Sequence, residues 1–217
     1  MGGASWLRAL PAASAEQLLA EARPLELAAG EHLFHQGDPG DAMAVVDAGL
    51  LKASLVTARG REVVLAYHAP GDVVGELAVL DGAPRAASIC ALEASRVRLV
   101  AGPRVRAFLE ADGALALAVA AMLAQRLRRT NELVEDAAGA PLEMRLARAI
   151  VRLLPDAAAG AELRLTQQDL AAYAGLAREN VNRQLQDWAQ RGLVRLGRGR
   201  LQLLAADELV EIAEDLV

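Results

Sequence analysis

Cysteine, lysine and aromatic residues are scarce in this chain, and each shortage removes a class of explanation. Cys90 is the sole cysteine, which excludes an intramolecular disulfide and a four-cysteine iron–sulfur cluster. It lies in an apolar, strand-like run from Ala87 to Leu92, where the expected role is buried filler. Lysine occurs once, at Lys52, so arginine must carry almost every positive role. The three histidines, His32, His35 and His68, all fall in the first half and form no metal-ligand cluster. There is no nucleophile elbow and no Ser/His/Asp spacing, so an enzyme is not expected. Neither a basic, apolar leader nor a run of membrane-spanning length is present. A cytoplasmic chain with no membrane partner is the expectation.

What is present is an ample core. Apolar residues make up 54% and charged residues 24% of 217, which argues against disorder. From about Leu25 to Leu99, short apolar runs are broken regularly by glycine, with turn pairs Gly37-Asp38, Gly40-Asp41, Gly60-Arg61 and Gly71-Asp72. That rhythm predicts a compact antiparallel β sandwich or roll. Before it, Ser14-Ala15-Glu16-Gln17 has the outline of a capping box opening a short helix.

From Pro103 the pattern turns helical. Ala114 to Asp136 contains neither proline nor glycine. Within it Ala116, Ala120, Leu123, Leu127, Thr130 and Val134 advance by alternating four- and three-residue steps, the seam of a coiled coil. A homodimer is therefore expected. Gly139-Ala140-Pro141 ends this helix, because proline disfavours helical geometry in the residue before it. A second helix, Leu142 to Leu154, leads into a loop at Pro155 to Gly160.

Two constellations carry chemistry. In the first, Gly75-Glu76 and Arg85 stand on either side of a turn among apolar residues. An arginine in that setting pairs bidentately with phosphate, and a carboxylate accepts hydrogen bonds from a sugar hydroxyl. A ribose phosphate fits both. In the second, Thr166-Gln167-Gln168-Asp169 reads as a helix start with Thr166 as N-cap, Gly175 supplies a sharp turn, and another helix runs from Ala177 to Arg191. This is the helix-turn-helix arrangement, whose second helix presents its first residues to base edges. Arg178, Glu179, Asn180, Asn182 and Arg183 then face DNA, Thr166 and Gln168 take phosphates, and Leu185 and Trp188 face the core. Ala177 at the N-cap forgoes the ~1 kcal/mol of a serine or threonine. Leu193 to Leu203 reads as a hairpin, a wing carrying Arg198 and Arg200. The chain's net charge is −5, yet Leu176 to Leu204 holds six arginines, Arg178, Arg183, Arg191, Arg195, Arg198 and Arg200, against two acids. Local charge, rather than the total, is what meets DNA.

Four motifs, in this order and separation, resemble the cyclic AMP receptor protein/FNR family of bacterial transcription regulators over nearly the full length. They are Phe34-His35-Gln36-Gly37-Asp38, Gly71-Asp72-Val73-Val74-Gly75-Glu76-Leu77, Pro84-Arg85-Ala86-Ala87-Ser88 and Ala177-Arg178-Glu179-Asn180-Val181-Asn182-Arg183. The resemblance implies an α+β chain: an N-terminal double-stranded β-roll that binds cyclic nucleotide (1–112), a long dimerisation helix with its hinge (113–138), and a C-terminal winged helix-turn-helix (139–217). It implies that Glu76 binds the ribose 2′-hydroxyl, Arg85 the cyclic phosphate, and the backbone at Gly75, Leu77 and Ala86 cradles the ligand. Thr130 and Asn131 would approach the purine from the two subunits. Arg178, Glu179 and Arg183 match the readers of a TGTGA-like half-site in a palindromic operator. Cyclic AMP is the implied effector, with double-stranded DNA and RNA polymerase as partners and no prosthetic group. Two departures leave the effector open: Ala86 replaces a hydroxyl residue found in some members, and Asn131 stands where serine is common. Cyclic GMP, cyclic di-GMP or constitutive DNA binding are the alternatives. A haem-sensing branch would need axial ligands, for which the histidines qualify by residue type alone.

Overall fold

The computed structural model describes residues 6–10, 12–58, 60, 62–154, 158 and 160–214. The expected Gly60-Arg61 turn and the Pro155–Gly160 loop lie partly outside them. The chain forms two compact units, one reaching Arg129 and one from Thr130 onward, the latter also taking in Glu62–Val64.

A 3-10 turn, Trp6–Ala9, and helix α1, Ala12–Leu19, precede eight strands. These are β1 (Arg23–Leu27), β2 (His32–Phe34), β3 (Ala42–Ala48), β4 (Leu51–Val56), β5 (Glu62–His68), β6 (Val73–Val74), β7 (Ser88–Ala91) and β8 (Ser95–Ala101). A six-residue helix, α2 (Glu76–Asp81), separates β6 from β7. The strands make two four-stranded sheets, ordered β1-β8-β3-β6 and β2-β7-β4-β5. Alternation along β3 shows why they face each other. Ala44 and Val46 join Leu51, Ile89, Ala91 and Val97 between the sheets, while Met43 and Val45 point the other way. That second face is covered by Trp6, Leu18, Val105 and Leu115, from helices and the N-terminal turn. A period of two thus feeds two cores at once.

Three expectations are corrected. α1 begins at Ala12, so Ser14 is inside the helix and does not cap it; the strong helix formers Ala12 and Ala13 extend the helix backward. Cys90 is half-buried rather than buried, because Ile89 and Ala91 take the inward positions of β7. Glu76 and Arg85 are joined through a helix, not a bare turn.

Helix α3 (Gly102–Ala111) leads into α4 (Gly113–Gly139), at 27 residues the longest helix. The inward positions of α4 start at Leu115, Val119 and Met122, all buried. The expected seam is a different stripe: Ala116, Ala120, Leu127, Thr130 and Val134 are exposed and Leu123 half-buried. Leu127 and Val134 are 63% and 64% exposed, so this chain leaves the seam uncovered. Among the described residues no single helix is long and apolar enough to cross a membrane.

The second unit continues with α5 (Leu142–Leu153), β9 (Glu162–Leu163), α6 (Gln167–Ala174), α7 (Arg178–Gln190), β10 (Val194–Gly197), β11 (Arg200–Leu203) and α8 (Ala206–Glu214). Leu146, Ile150 and Leu153 line one face of α5 and are buried with Leu170, Val181, Leu185, Trp188, Leu203 and Leu209. The Trp188 indole donates to Glu143 Oε1 at 2.9 Å, which satisfies its only polar atom. Near the end of α4, buried Asp136 holds two arginines of α5, Arg148 at 2.5 Å and Arg152 at 3.1 Å. Asp136→Ala leaves both cations without their shared anion. The expected loss is about 2–4 kcal/mol, measured by chemical denaturation.

Candidate ligand site and nucleic-acid interface

Glycine decides the local geometry of the first site. Gly75 adopts φ 78° and lets β6 turn directly into α2, which puts Glu76 in the first helical turn. The Glu76 side chain is 2% exposed. One carboxylate oxygen, Oε1, pairs with Arg126 Nη1 of α4, and Arg126 Nη2 donates to the Val73 carbonyl at 3.3 Å. The other, Oε2, is buried with no hydrogen-bond partner among the described residues.

Arg85 converges on the same place. Its Nη1 donates to the Gly75 carbonyl at 2.8 Å, and its guanidinium carbon lies 4.1 Å from the centre of the Phe34 ring. The backbone is pinned as well: Arg85 N donates to Asp38 O and Gly37 N donates to Arg85 O. Burial lowers the Arg85 pKa from its ordinary value, while Asp41, Asp38 and Glu76 oppose that shift. Nε is buried without a hydrogen-bond partner among the described residues. A buried acceptor that needs a hydroxyl and a buried cation that needs an anion therefore sit together, as a sugar phosphate requires. Leu77 and Ala86 are exposed beside them, and Thr130 and Asn131 are exposed on α4 just beyond Arg126. The sequence pattern singles out neither Arg126 nor Phe34 by role. For Arg126 the signal was its four-residue step from buried Met122.

His68 ends β5 in this unit, 6% exposed, with Nδ1 buried and unpartnered among the described residues. Burial, with the charges of Arg126 and Arg129, pushes its imidazole down to about 3 from 6.5. The unfolded chain binds a proton near pH 6.5 and the native chain only near 3. Stability therefore falls as pH drops through that window, by ~1.4 kcal/mol for each pH unit well inside it. Thermal unfolding from about pH 7.5 down to about pH 4.5 should show this slope. His68→Leu should remove its share, and an unchanged slope in the variant would contradict the assignment. His32 and His35, by contrast, are exposed and stack on each other at 4.4 Å.

In the second unit, the expected caps and turns form. Thr166 Oγ1 accepts from Asp169 N at 3.1 Å, Gly175 is left-handed at φ 66°, and Ala177 caps α7 with no side-chain bond. Leu185 and Trp188 are buried, which leaves Arg178, Glu179, Asn182 and Arg183 exposed. Asn180 is half-buried and accepts from Arg183 Nη2 at 3.0 Å. β10 and β11 pair in register around the tight turn Arg198-Gly199, with Gly199 at φ 66°. A cavity of about 430 Å³ brings Thr166, Gln168 and Arg178 together with Arg198 and Arg200 of the wing. Glu179, Asn182 and Arg183 are not in its lining. One member of the basic group is engaged by acids of its own unit. Arg191 is held by Glu208 and Glu143, each at 3.1 Å, and by Asp187, and the Glu208 bond foremost raises its pKa.

An unpartnered carboxylate oxygen beside a buried arginine on a β-roll, together with a helix-turn-helix and a basic wing, fits a cyclic nucleotide-binding, DNA-binding transcription regulator. Comparison with known proteins agrees. Residues 24–112 match the cyclic nucleotide-binding domain and residues 144–212 the Crp-like helix-turn-helix domain. The chain belongs to the cyclic AMP receptor protein/FNR family. It is 33% identical over 184 residues to the cyclic AMP receptor protein of Thermus thermophilus, covering 85% of each chain. It is 30% identical over 197 residues to the CRP-like cAMP-activated global transcriptional regulator of Mycobacterium tuberculosis, covering 88% of each. These relatives are transcription regulators, not enzymes. Among solved structures, the Thermus thermophilus catabolite activator protein aligns over 98% of this chain and 99% of its own, at 30% identity and a TM-score of 0.57. The c-di-GMP responsive regulator CLP of Xanthomonas campestris shares the fold at 24% identity and a TM-score of 0.77, over 89% of this chain and 99% of its own.

Proposed function

We propose that the chain acts as a cytoplasmic homodimer whose occupancy by cyclic AMP controls its grip on a palindromic, TGTGA-like operator. One observation carries this reading. Glu76 keeps one buried carboxylate oxygen without a partner among the described residues while the other is held by Arg126 of α4, which would link a ligand at Glu76 to the long helix. Ribose and phosphate go to Glu76 and Arg85, with the backbone at Gly75, Leu77 and Ala86 around them. Thr130 and Asn131 meet the purine, one from each subunit. The uncovered stripe Leu127, Thr130, Val134 supports pairing with a second copy along α4, since apolar seams of this spacing bury against each other. We take 1–112, 113–138 and 139–217 as the ligand-binding, dimerising and DNA-binding segments, with a hinge at Gly139 to Pro141.

In the dimer, the two α7 helices enter successive major grooves, about 34 Å apart. Arg178, Glu179, Asn180, Asn182 and Arg183 read bases, while Thr166, Gln168, Arg198 and Arg200 hold phosphates. Ligand coupling of this kind is worth about 1–3 kcal/mol. RNA polymerase is the protein partner we assign to the DNA-bound form. Cyclic AMP is favoured over cyclic GMP because Ala86 lacks the hydroxyl that would donate to guanine.

Calorimetric titration with cyclic AMP, cyclic GMP and cyclic di-GMP, each paired with operator affinity, tests the reading. Heat with cyclic AMP and an operator affinity raised roughly five- to hundredfold are expected. Equal operator binding with and without every nucleotide would mean a constitutive protein. A response to cyclic di-GMP alone would reassign the effector.

A further inference from the structure

Phe34 belongs to one of the four motifs, yet the function above gives it no role. The structure places it against the least replaceable group of the pocket. The Arg85 guanidinium carbon lies over its ring, 4.1 Å from the ring centre. The cation is also held at one corner, where Nη1 donates to the Gly75 carbonyl at 2.8 Å. With its central carbon over the ring and Nη1 bonded, the guanidinium keeps Nε and Nη2 as the pair of N–H groups on one edge that make no hydrogen bond among the described residues. Nε is buried and unpartnered among the described residues. Two N–H groups on one edge, fixed in one plane, are what two phosphate oxygens need for a bidentate pair.

Gly75 ties the arrangement together. A Cβ at this position would stand 2.7 Å from Arg85 Nη1 and 3.0 Å from the Phe34 ring. The residue before Glu76 is therefore bare because the stack occupies the space. Strand β2 brings Phe34 in beside Ile89 of β7, and the loop that follows Phe34 holds the Arg85 backbone through Gly37 and Asp38. Phe34 thus orients the cation's face while its own loop anchors the cation's stem.

We infer that Phe34 is a positioning residue for anion capture: by stacking on Arg85 it turns the Nε–Nη2 edge toward the phosphate of a bound cyclic nucleotide. This rests on the ligand reading above. The ring meets the central carbon while hydrogen bonds use the N–H groups, so the ring contact persists when phosphate binds.

The test is a double-mutant cycle read by calorimetry with cyclic AMP. Phe34→Leu keeps apolar volume but loses the ring, and affinity is expected to fall about tenfold. Phe34→Tyr keeps the ring and should stay within about twofold of the parent. In an Arg85→Gln background, Phe34→Leu should change affinity no further, because the cation it orients is gone. A purely structural phenylalanine would instead give the same loss in both backgrounds, and that additivity would overturn the inference. So would full affinity in Phe34→Leu, or equal losses in the leucine and tyrosine variants. Absence of binding by the unmodified protein to cyclic AMP, cyclic GMP and cyclic di-GMP alike would remove the ligand reading and this inference with it. Normal binding with an additive cycle would remove this inference alone.

Discussion

Arg85→Gln lowers cyclic AMP affinity by roughly a hundredfold, the largest single effect expected in the ligand-binding unit. The reason lies in the balance of charges. Arg85 is 8% exposed, and its cationic form is disfavoured by burial and supported by Asp41, Asp38 and Glu76. A phosphate arriving there loses its water and must recover that cost from charge-assisted bonds. Glutamine retains one neutral donor and no charge, which forfeits about 2–3 kcal/mol, or about a hundredfold. Stability of the ligand-free protein should change little, since a desolvated cation is removed along with its stack on Phe34. Calorimetry with cyclic AMP and a thermal melt on the same sample separate the two effects. Wild-type affinity in a folded Arg85→Gln protein would refute the phosphate role.

Arg178→Ala and Arg198→Ala should both weaken DNA binding, but in different ways. Arg178 opens α7 with its side chain exposed, where a guanidinium reaches the two acceptors of a guanine. Its loss should cost about 1–3 kcal/mol on the operator and relax preference at one base, with scrambled duplex affected less. Arg198 sits in the wing turn, where the proposed role is to hold a phosphate. Its loss should weaken operator and scrambled duplex alike and reduce the slope of log affinity against log salt by about 1. Anisotropy titrations with both duplexes at several salt concentrations decide between these patterns. If the two variants behaved identically, the division into base reader and phosphate holder would fail. Arg191→Ala makes the contrast sharper: held by Glu143, Glu208 and Asp187, it should disturb stability more than DNA affinity.

Much of this was legible before any coordinates, wherever the signal is local. The Thr166 cap, the Gly175 turn and the Arg198-Gly199 hairpin each depend on residues within a few positions of one another. Backbone geometry and a side-chain bond of short reach settle them. The stripe from Ala116 to Val134 was readable because helical spacing alone puts those residues on one face. The start of α1 was misjudged for the converse reason. A capping outline at Ser14 competes with the helix propensity of the alanines before it, and propensity carried the helix back to Ala12.

By itself, the sequence determined which residue types were available, which segments bend or coil, and that Glu76 and Arg85 lie in a setting fit for a sugar phosphate. Only the tertiary structure decided how the charges are shared. It gave Arg126 to Glu76 across 50 positions, drew Arg191 to Glu143 across 48, and slid Phe34 beneath Arg85. Arginine is abundant here and each copy carries the same charge, so composition cannot choose among them. Coulomb attraction and burial act through distance in space, and distance exists only once the sheets and helices have packed.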